Sequence, residues 1–159
     1  MLLEELIKFK HYKFAEEAKD WREAIRMSCE PLEADGSVTA DYKEEVIQEI
    51  EQYGPYIIIM PNVAIPHAQE YTDSVKKTSV SFLKLKKPVC FTEDGQAENT
   101  VQNFFTFASC DAAKHIDNLS SLMELLMNSE FVKEFELLTS EQDLKKLQKK
   151  WEGRSRSNV

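Results

Sequence analysis

Two prolines five residues apart, Pro61 and Pro66, follow the β-branched run Ile57-Ile58-Ile59 and restrict the backbone on either side of Val63-Ala64-Ile65. Proline fixes its own φ and pushes the preceding residue toward extended geometry. His67 therefore leaves this stretch in a restricted direction. A histidine held just past a buried strand can be a nucleophile, an acid–base group, a ligand or a packed core residue. The surrounding chain has to narrow that choice.

Upstream, residues 1–13 mix Leu2, Leu3, Leu6, Ile7 and Phe9 with lysines, a pattern that suits either a short helix or a strand. From Asp20 the spacing predicts a helix, with Asp20 as cap, Glu23 reaching back, and Trp21, Ala24, Ile25 and Cys29 on one face. Pro31 is expected to stop it, before a turn at Asp35-Gly36-Ser37. A second helix is predicted from Asp41, with Glu44 three residues on and an apolar stripe of Tyr42, Val46, Ile50 and Tyr53. Gly54-Pro55 ends it, a left-handed glycine followed by a residue that cannot continue a helix.

Residues 56–60 then read as a strand covered on both faces. After a polar stretch at 69–77, strands are predicted at 78–85 and 88–91, with an antiparallel pairing between them, and an acidic loop follows at 92–99. The next strand, 101–108, places Val101, Asn103, Phe105 and Phe107 on one side and Phe104, Thr106 and Ala108 on the other. Asp111 is expected to cap a helix whose inner face is Ile116, Leu119, Leu122, Met123 and Leu126. A short helix at 129–137 and a last one opened by Ser140 and Asp143, through Leu144, Leu147 and Trp151, complete the pattern. The expected fold class is α/β, a mixed β-sheet flanked by helices on both faces. Residues 1–152 form one domain in this reading, and 153–159 a frayed tail or an appended remnant.

Composition removes several functions. A formal net charge of -8 argues against binding a phosphate backbone. The start of the chain has neither a basic region nor a long apolar run, and no stretch is apolar enough to cross a bilayer, so a cytoplasmic protein is expected. The three cysteines, Cys29, Cys90 and Cys110, are widely spaced among apolar neighbours and read as buried free thiols. No P-loop, G-x-G-x-x-G or kinase signature is present, so no nucleotide cofactor is expected.

Three histidines remain. His11, among lysines, reads as a surface residue. His67 stands on a segment held by rigid elements, where sites tend to lie. His115 falls in the first turns of the helix capped by Asp111, where free backbone N–H groups suit an anion such as a phosphoryl group. Convergence of His67, His115 and Cys110 on a metal lacks supporting ligand spacing, so no metal is expected. Cys110 with His115 as a nucleophile and base lacks an oxyanion-hole signature.

The runs Gly54-Pro55-Tyr56-Ile57-Ile58-Ile59 and Val63-Ala64-Ile65-Pro66-His67-Ala68 resemble the active-site segment of the enzyme IIA components of the bacterial phosphoenolpyruvate:sugar phosphotransferase system (PTS). The likeness is to the type-2, mannitol–fructose group and, more narrowly, to its L-ascorbate-specific branch. Trp21-Arg22-Glu23-Ala24-Ile25, Pro31-Leu32 and Tyr42 look like that family's N-terminal pattern. Phe107-Ala108 with Asp111, His115, Leu119 and Leu122 looks like its second-histidine pattern. The resemblance implies that His67 accepts a phosphoryl group from the phosphocarrier protein HPr, as a tele-phosphohistidine. It implies that His67 then passes the group to a cysteine of enzyme IIB, which serves the membrane-embedded enzyme IIC. It assigns His115 to support of the phosphoryl group, and it implies a mixed sheet with flanking helices. Pro61 stands where mannitol-type members carry a glutamate, no arginine lies between Arg26 and His67, and Gln69 stands where ascorbate-type members often carry arginine. The alternative function is a regulatory IIA-like module whose phosphorylation state controls a protein partner.

Overall fold

In the computed structural model, which describes residues 1–153, two long strands carry the fold. These are β4 (Ser79–Cys90) and β5 (Thr100–Ala108), paired antiparallel. Their residues are apolar in both alternations because both faces are covered. On one face Leu83, Leu85, Phe104 and Ala108 meet α2 (Trp21–Ala34) and α3 (Asp41–Tyr53). On the other, Val80, Phe82, Phe105 and Phe107 meet α1 (Leu2–Lys8), α4 (Ala112–Leu126), α5 (Ser129–Glu136) and α6 (Glu141–Trp151). Three short strands complete the sheet: β1 (Tyr12–Ala15) parallel to β4, β3 (Asn62–Ala64) parallel to β5, and β2 (Ile58–Met60) antiparallel to β3. The order is β1-β4-β5-β3-β2, a mixed five-stranded sheet with helices on both faces, as the apolar patterning predicts.

Several local expectations change. Helix α2 runs through Pro31 to Ala34. The bond that Pro31 cannot donate is offset by burial of Leu32 one residue later. Helix α3 has Ala40 at its N-cap with no side-chain cap, Glu44 pairs with Arg26, and Tyr53 is exposed. Residues 56–60 do not form a doubly covered strand. Only Ile58–Met60 is strand, at the sheet edge, with Ile59 exposed, because the chain turns back at Pro61 to form β3. The two strands expected near 80 and 90 are one strand, broken in register between Lys84 and Val89, and their antiparallel partner is β5. Pro88 falls inside that irregularity, where a missing N–H costs the ladder least. The shift also carries Val101 to the side of Phe104 and Ala108.

In α4 the buried line is Asn118, Leu122 and Leu126, with Ile116 and Leu119 outward. The helix is rotated so that His115, three residues before Asn118, also turns toward the sheet. Cys29 is buried, Cys90 half-buried and Cys110 exposed, all free. His11 is not a surface residue. It is 4% exposed, with Nε2 2.5 Å from Asp35 Oδ2. The partner lies 24 residues away, beyond the reach of a local pattern.

The ends of the described chain are tied together. Residues 1–13 contribute both a helix, α1, and a strand, β1. Met1 gives α1 no side-chain cap. The buried carboxylate of Glu152 does so instead, accepting from the Leu3 and Glu4 amides at 2.8 Å each. The tail expected over 153–159 lies, from residue 154 on, outside the described residues. Glu152→Ala leaves the Leu3 amide buried without its partner. It is expected to lower unfolding stability by about 1–3 kcal/mol in urea titration, with Glu152→Gln losing less.

Candidate functional site

Extended backbone continues past β3 under control of its neighbours. The Ile65 amide donates to Ile57 O at 2.8 Å, and the Phe107 amide donates to Pro66 O at 2.8 Å. Because β3 and β5 are parallel, both release the chain at the same edge of the sheet. His67 emerges from one, and Ser109 and the start of α4 from the other.

The turn after Pro66 is held by side chains. Tyr56 donates its hydroxyl to His67 O at 2.6 Å, the Ala68 amide donates to Tyr42 Oη at 3.1 Å, and the Gln69 amide donates to Glu49 Oε2 at 2.8 Å. Tyr42 in turn donates to Phe107 O at 2.6 Å. Further along, Thr72 and Ser74 both donate to Glu45. Tyr42, Glu45 and Glu49 are spaced i, i+3, i+7, so one stripe of α3 secures the loop from Ala68 to Ser74. None of these three, nor Tyr56 or Ser109, stands out as a site residue in the sequence. The i, i+3, i+7 spacing of hydrogen-bonding groups beside an apolar stripe is the signal that could have revealed the helical three.

The His67 ring has a defined orientation. Its Nδ1 lies 2.6 Å from Ile65 O, and the Tyr56 ring stands edge-on to it at 5.3 Å and 89°. A carbonyl oxygen only accepts, so Nδ1 must carry the proton and donate it. In the neutral ring Nε2 is then a bare lone pair.

His115 shares the same cleft, a cavity of about 510 Å³ that Ser109, Gln69, Glu70 and Thr72 also line. Its Nδ1 lies 2.6 Å from Ser109 Oγ, and the Phe107 ring is edge-on at 5.9 Å. Burial lowers the His115 pKa below its ordinary value, and the charge of His67 lowers it further. The structure thus brings together the two histidines that the sequence singled out. It places Cys110 outside that lining, with its sulfur 3.5 Å from Thr78 Oγ1. The free helix amides expected beside His115 are occupied, since the Asp111 carboxylate accepts from the Ala113 and Lys114 amides. No lysine or arginine among the described residues lines the cleft. Among the described residues, no three His, Cys, Asp or Glu side chains converge on a possible metal position. What the arrangement offers is an imidazole whose Nε2 is the bare nitrogen of its neutral form, in one cleft with a second imidazole.

A family model described as "Phosphoenolpyruvate-dependent sugar phosphotransferase system, EIIA 2" matches residues 5–150. The chain belongs to this EIIA 2 family. It is 34% identical over 114 residues, 72% of each chain, to the ascorbate-specific PTS system EIIA component of Escherichia coli K12. Among solved structures it is similar to the mannitol-specific cryptic phosphotransferase enzyme IIA CmtB of Escherichia coli, with a TM-score of 0.75 at 26% identity over 92% of this chain and 97% of that one. The fold also matches that of the Escherichia coli mannitol enzyme IIA in its complex with phosphorylated enzyme IIB. There the TM-score is 0.72 at 22% identity, over 87% of this chain and 93% of that one. EIIA components act as phosphotransferases in the phosphoryl relay of sugar uptake. Among the described residues of this EIIA domain, no helix is long and apolar enough to cross a membrane.

The electrostatic link between the histidines is measurable. In an NMR pH titration the His115 midpoint is expected below 6.5, the value of an unperturbed imidazole. In His67→Ala it should move upward, because a neighbouring positive charge no longer opposes protonation, while burial still holds it below that value.

Proposed function

We propose that His67 is the phosphoryl acceptor of this EIIA domain, taking the group from phospho-HPr on Nε2 and passing it to a cysteine of the cognate enzyme IIB. The hydrogen bond from Nδ1 to Ile65 O carries this reading. The Nε2 lone pair attacks phosphorus, the N–P bond forms, and the bond to the donor atom of HPr breaks with its electron pair staying on that atom. No proton has to leave Nε2 first. The Nδ1 proton stays on the ring, which becomes an N-phosphoryl imidazolium stabilised by the carbonyl it faces. When the thiolate of enzyme IIB attacks, the S–P bond forms and the N–P pair returns to Nε2. The neutral ring is restored without proton transfer.

His115 supports the phosphoryl group. Its lowered pKa favours the neutral imidazole near pH 7. In the tautomer with its proton on Nε2, His115 accepts from Ser109 at Nδ1 and leaves Nε2–H to donate to a phosphoryl oxygen where transition-state charge builds. Neither a cofactor nor a metal enters these steps. In this reading the sugar is ascorbate- or pentose-like, and the likeness to an ascorbate-specific EIIA component supports the first of these. The complex known for the mannitol enzyme IIA supports enzyme IIB as recipient. In this reading residues 1–152 act as one IIA domain at the cytoplasmic face of a membrane enzyme IIC.

Incubation with phosphoenolpyruvate, enzyme I and HPr tests the assignment. Labelling is expected on the intact chain and absent from His67→Ala. His115→Ala should be labelled about 100-fold more slowly. Undiminished labelling of His67→Ala overturns the reading.

A further inference from the structure

Tyr56 makes two contacts with the same residue. Its hydroxyl lies 2.6 Å from His67 O, and its ring stands edge-on to the His67 ring at 5.3 Å. A phenol has one proton to give. Glu49 Oε2, also within reach at 3.1 Å, is the longer alternative and already accepts from the Gln69 amide. The shorter contact with the carbonyl therefore takes the proton. Burial, followed by the charge of Glu49, raises the Tyr56 pKa well above its ordinary value, so the hydroxyl stays a donor at any working pH.

Two features aim Tyr56 at this position. Gly54 has φ +85° with nothing within 4 Å of a Cβ built on it, so its backbone conformation, and not space, calls for glycine. After Pro55 the chain closes back, the Tyr56 amide donating to Gly54 O at 2.8 Å. Tyr56 thus comes off the end of α3 with its ring against the histidine and its hydroxyl on the histidine's own carbonyl.

The geometry points to Tyr56 as a positioning residue for phosphoryl transfer. It clamps the carbonyl and ring of His67 so that Nδ1 stays on Ile65 O and Nε2 stays bare toward the cleft. The inference rests on His67 being the acceptor. Tyr56 is half-buried and is not among the residues that line the cleft, so it is expected to act on the rate of transfer and not on docking. A small misplacement of a reacting nitrogen is enough to cost one to two orders of magnitude.

The test is Tyr56→Phe, which keeps the ring and removes only the hydroxyl. Three quantities are read: phosphoryl transfer from phospho-HPr across HPr concentrations, the ¹⁵N shifts of both His67 ring nitrogens, and thermal unfolding. The expected result is a saturating rate lower by about tenfold or more with the half-saturating HPr concentration within about twofold. The His67 shifts should move from a pure Nδ1–H tautomer toward a mixture. A wild-type saturating rate overturns the clamp, as does a slower rate with unchanged ¹⁵N shifts or a lower melting temperature with both rate and shifts intact. The unsubstituted chain supplies an arm that does not depend on the variant folding: its neutral His67 must be mainly Nδ1–H, and an Nε2–H majority overturns the clamp. If the unsubstituted chain takes no label at His67, the acceptor reading fails, while the ¹⁵N comparison still decides whether Tyr56 holds the ring.

Discussion

Because β3 lies parallel to β5, the chain leaves both strands at the same edge of the sheet, and everything chemical in this protein follows from that shared exit. An antiparallel partner would send the residues after Ile65 to the opposite end, away from Ser109 and α4. The Phe107 amide on Pro66 O extends the parallel pairing by one more bond, so the register that fixes the core also fixes where His67 begins. Phe107 serves the site twice. Its ring stands against His115, and its carbonyl accepts from the Tyr42 hydroxyl that also receives the Ala68 amide.

On the proposed reading the cleft works by tautomer control and burial, with no fixed cation among the described residues that line it. Among the described residues its lining includes Glu70 and no lysine or arginine, and the Asp111 carboxylate covers amides at the start of α4. A phosphoryl group entering such a cleft meets hydrogen-bond donors and not an opposing full charge. That suits a relay, since a group bound strongly by a cation would be slow to leave. Pro61 lies where the chain turns between β2 and β3 and does not line the cleft.

Features that depend on neighbours in sequence were legible in advance. Asp20 and Asp111 cap as their local patterns indicate, and the double-sided apolar character of β5 revealed a covered sheet. Features set by distant partners were not. The lysines around 86 resemble a strand break, yet the Lys87 amide is bonded to Glu16 O and the strand runs on. His11 looks like a surface residue until Asp35 arrives from the end of α2. Of the expected inner stripe of α4, Leu122 and Leu126 are buried, but Ile116 and Leu119 are exposed and Asn118 takes the inner position. His67 and His115 stood out by their chemistry. Their meeting, and the work of Tyr42, Glu49 and Tyr56, belong to the fold, because a tyrosine on an apolar stripe looks like core and a helix glutamate like solvated surface until the loop they hold is in place.

A loop of this kind has little stability to spare. Ordering one residue's backbone costs about 1–2 kcal/mol, whereas a hydrogen bond returns about 1 kcal/mol net. From Pro66 to Gln69 each residue makes a backbone hydrogen bond to Phe107, Tyr56, Tyr42 or Glu49 in turn. Gains and costs are therefore close to balance at each position, and Pro66 tips it by having less freedom to lose. A site poised this way is rigid only while its anchors are complete. Apart from Phe107 of β5, the anchors come from α3 and the turn behind it, which pack on the face of the sheet opposite α4. The orientation of His67 thus depends on both layers of the sandwich at once, one supplying the grip and the other the facing imidazole.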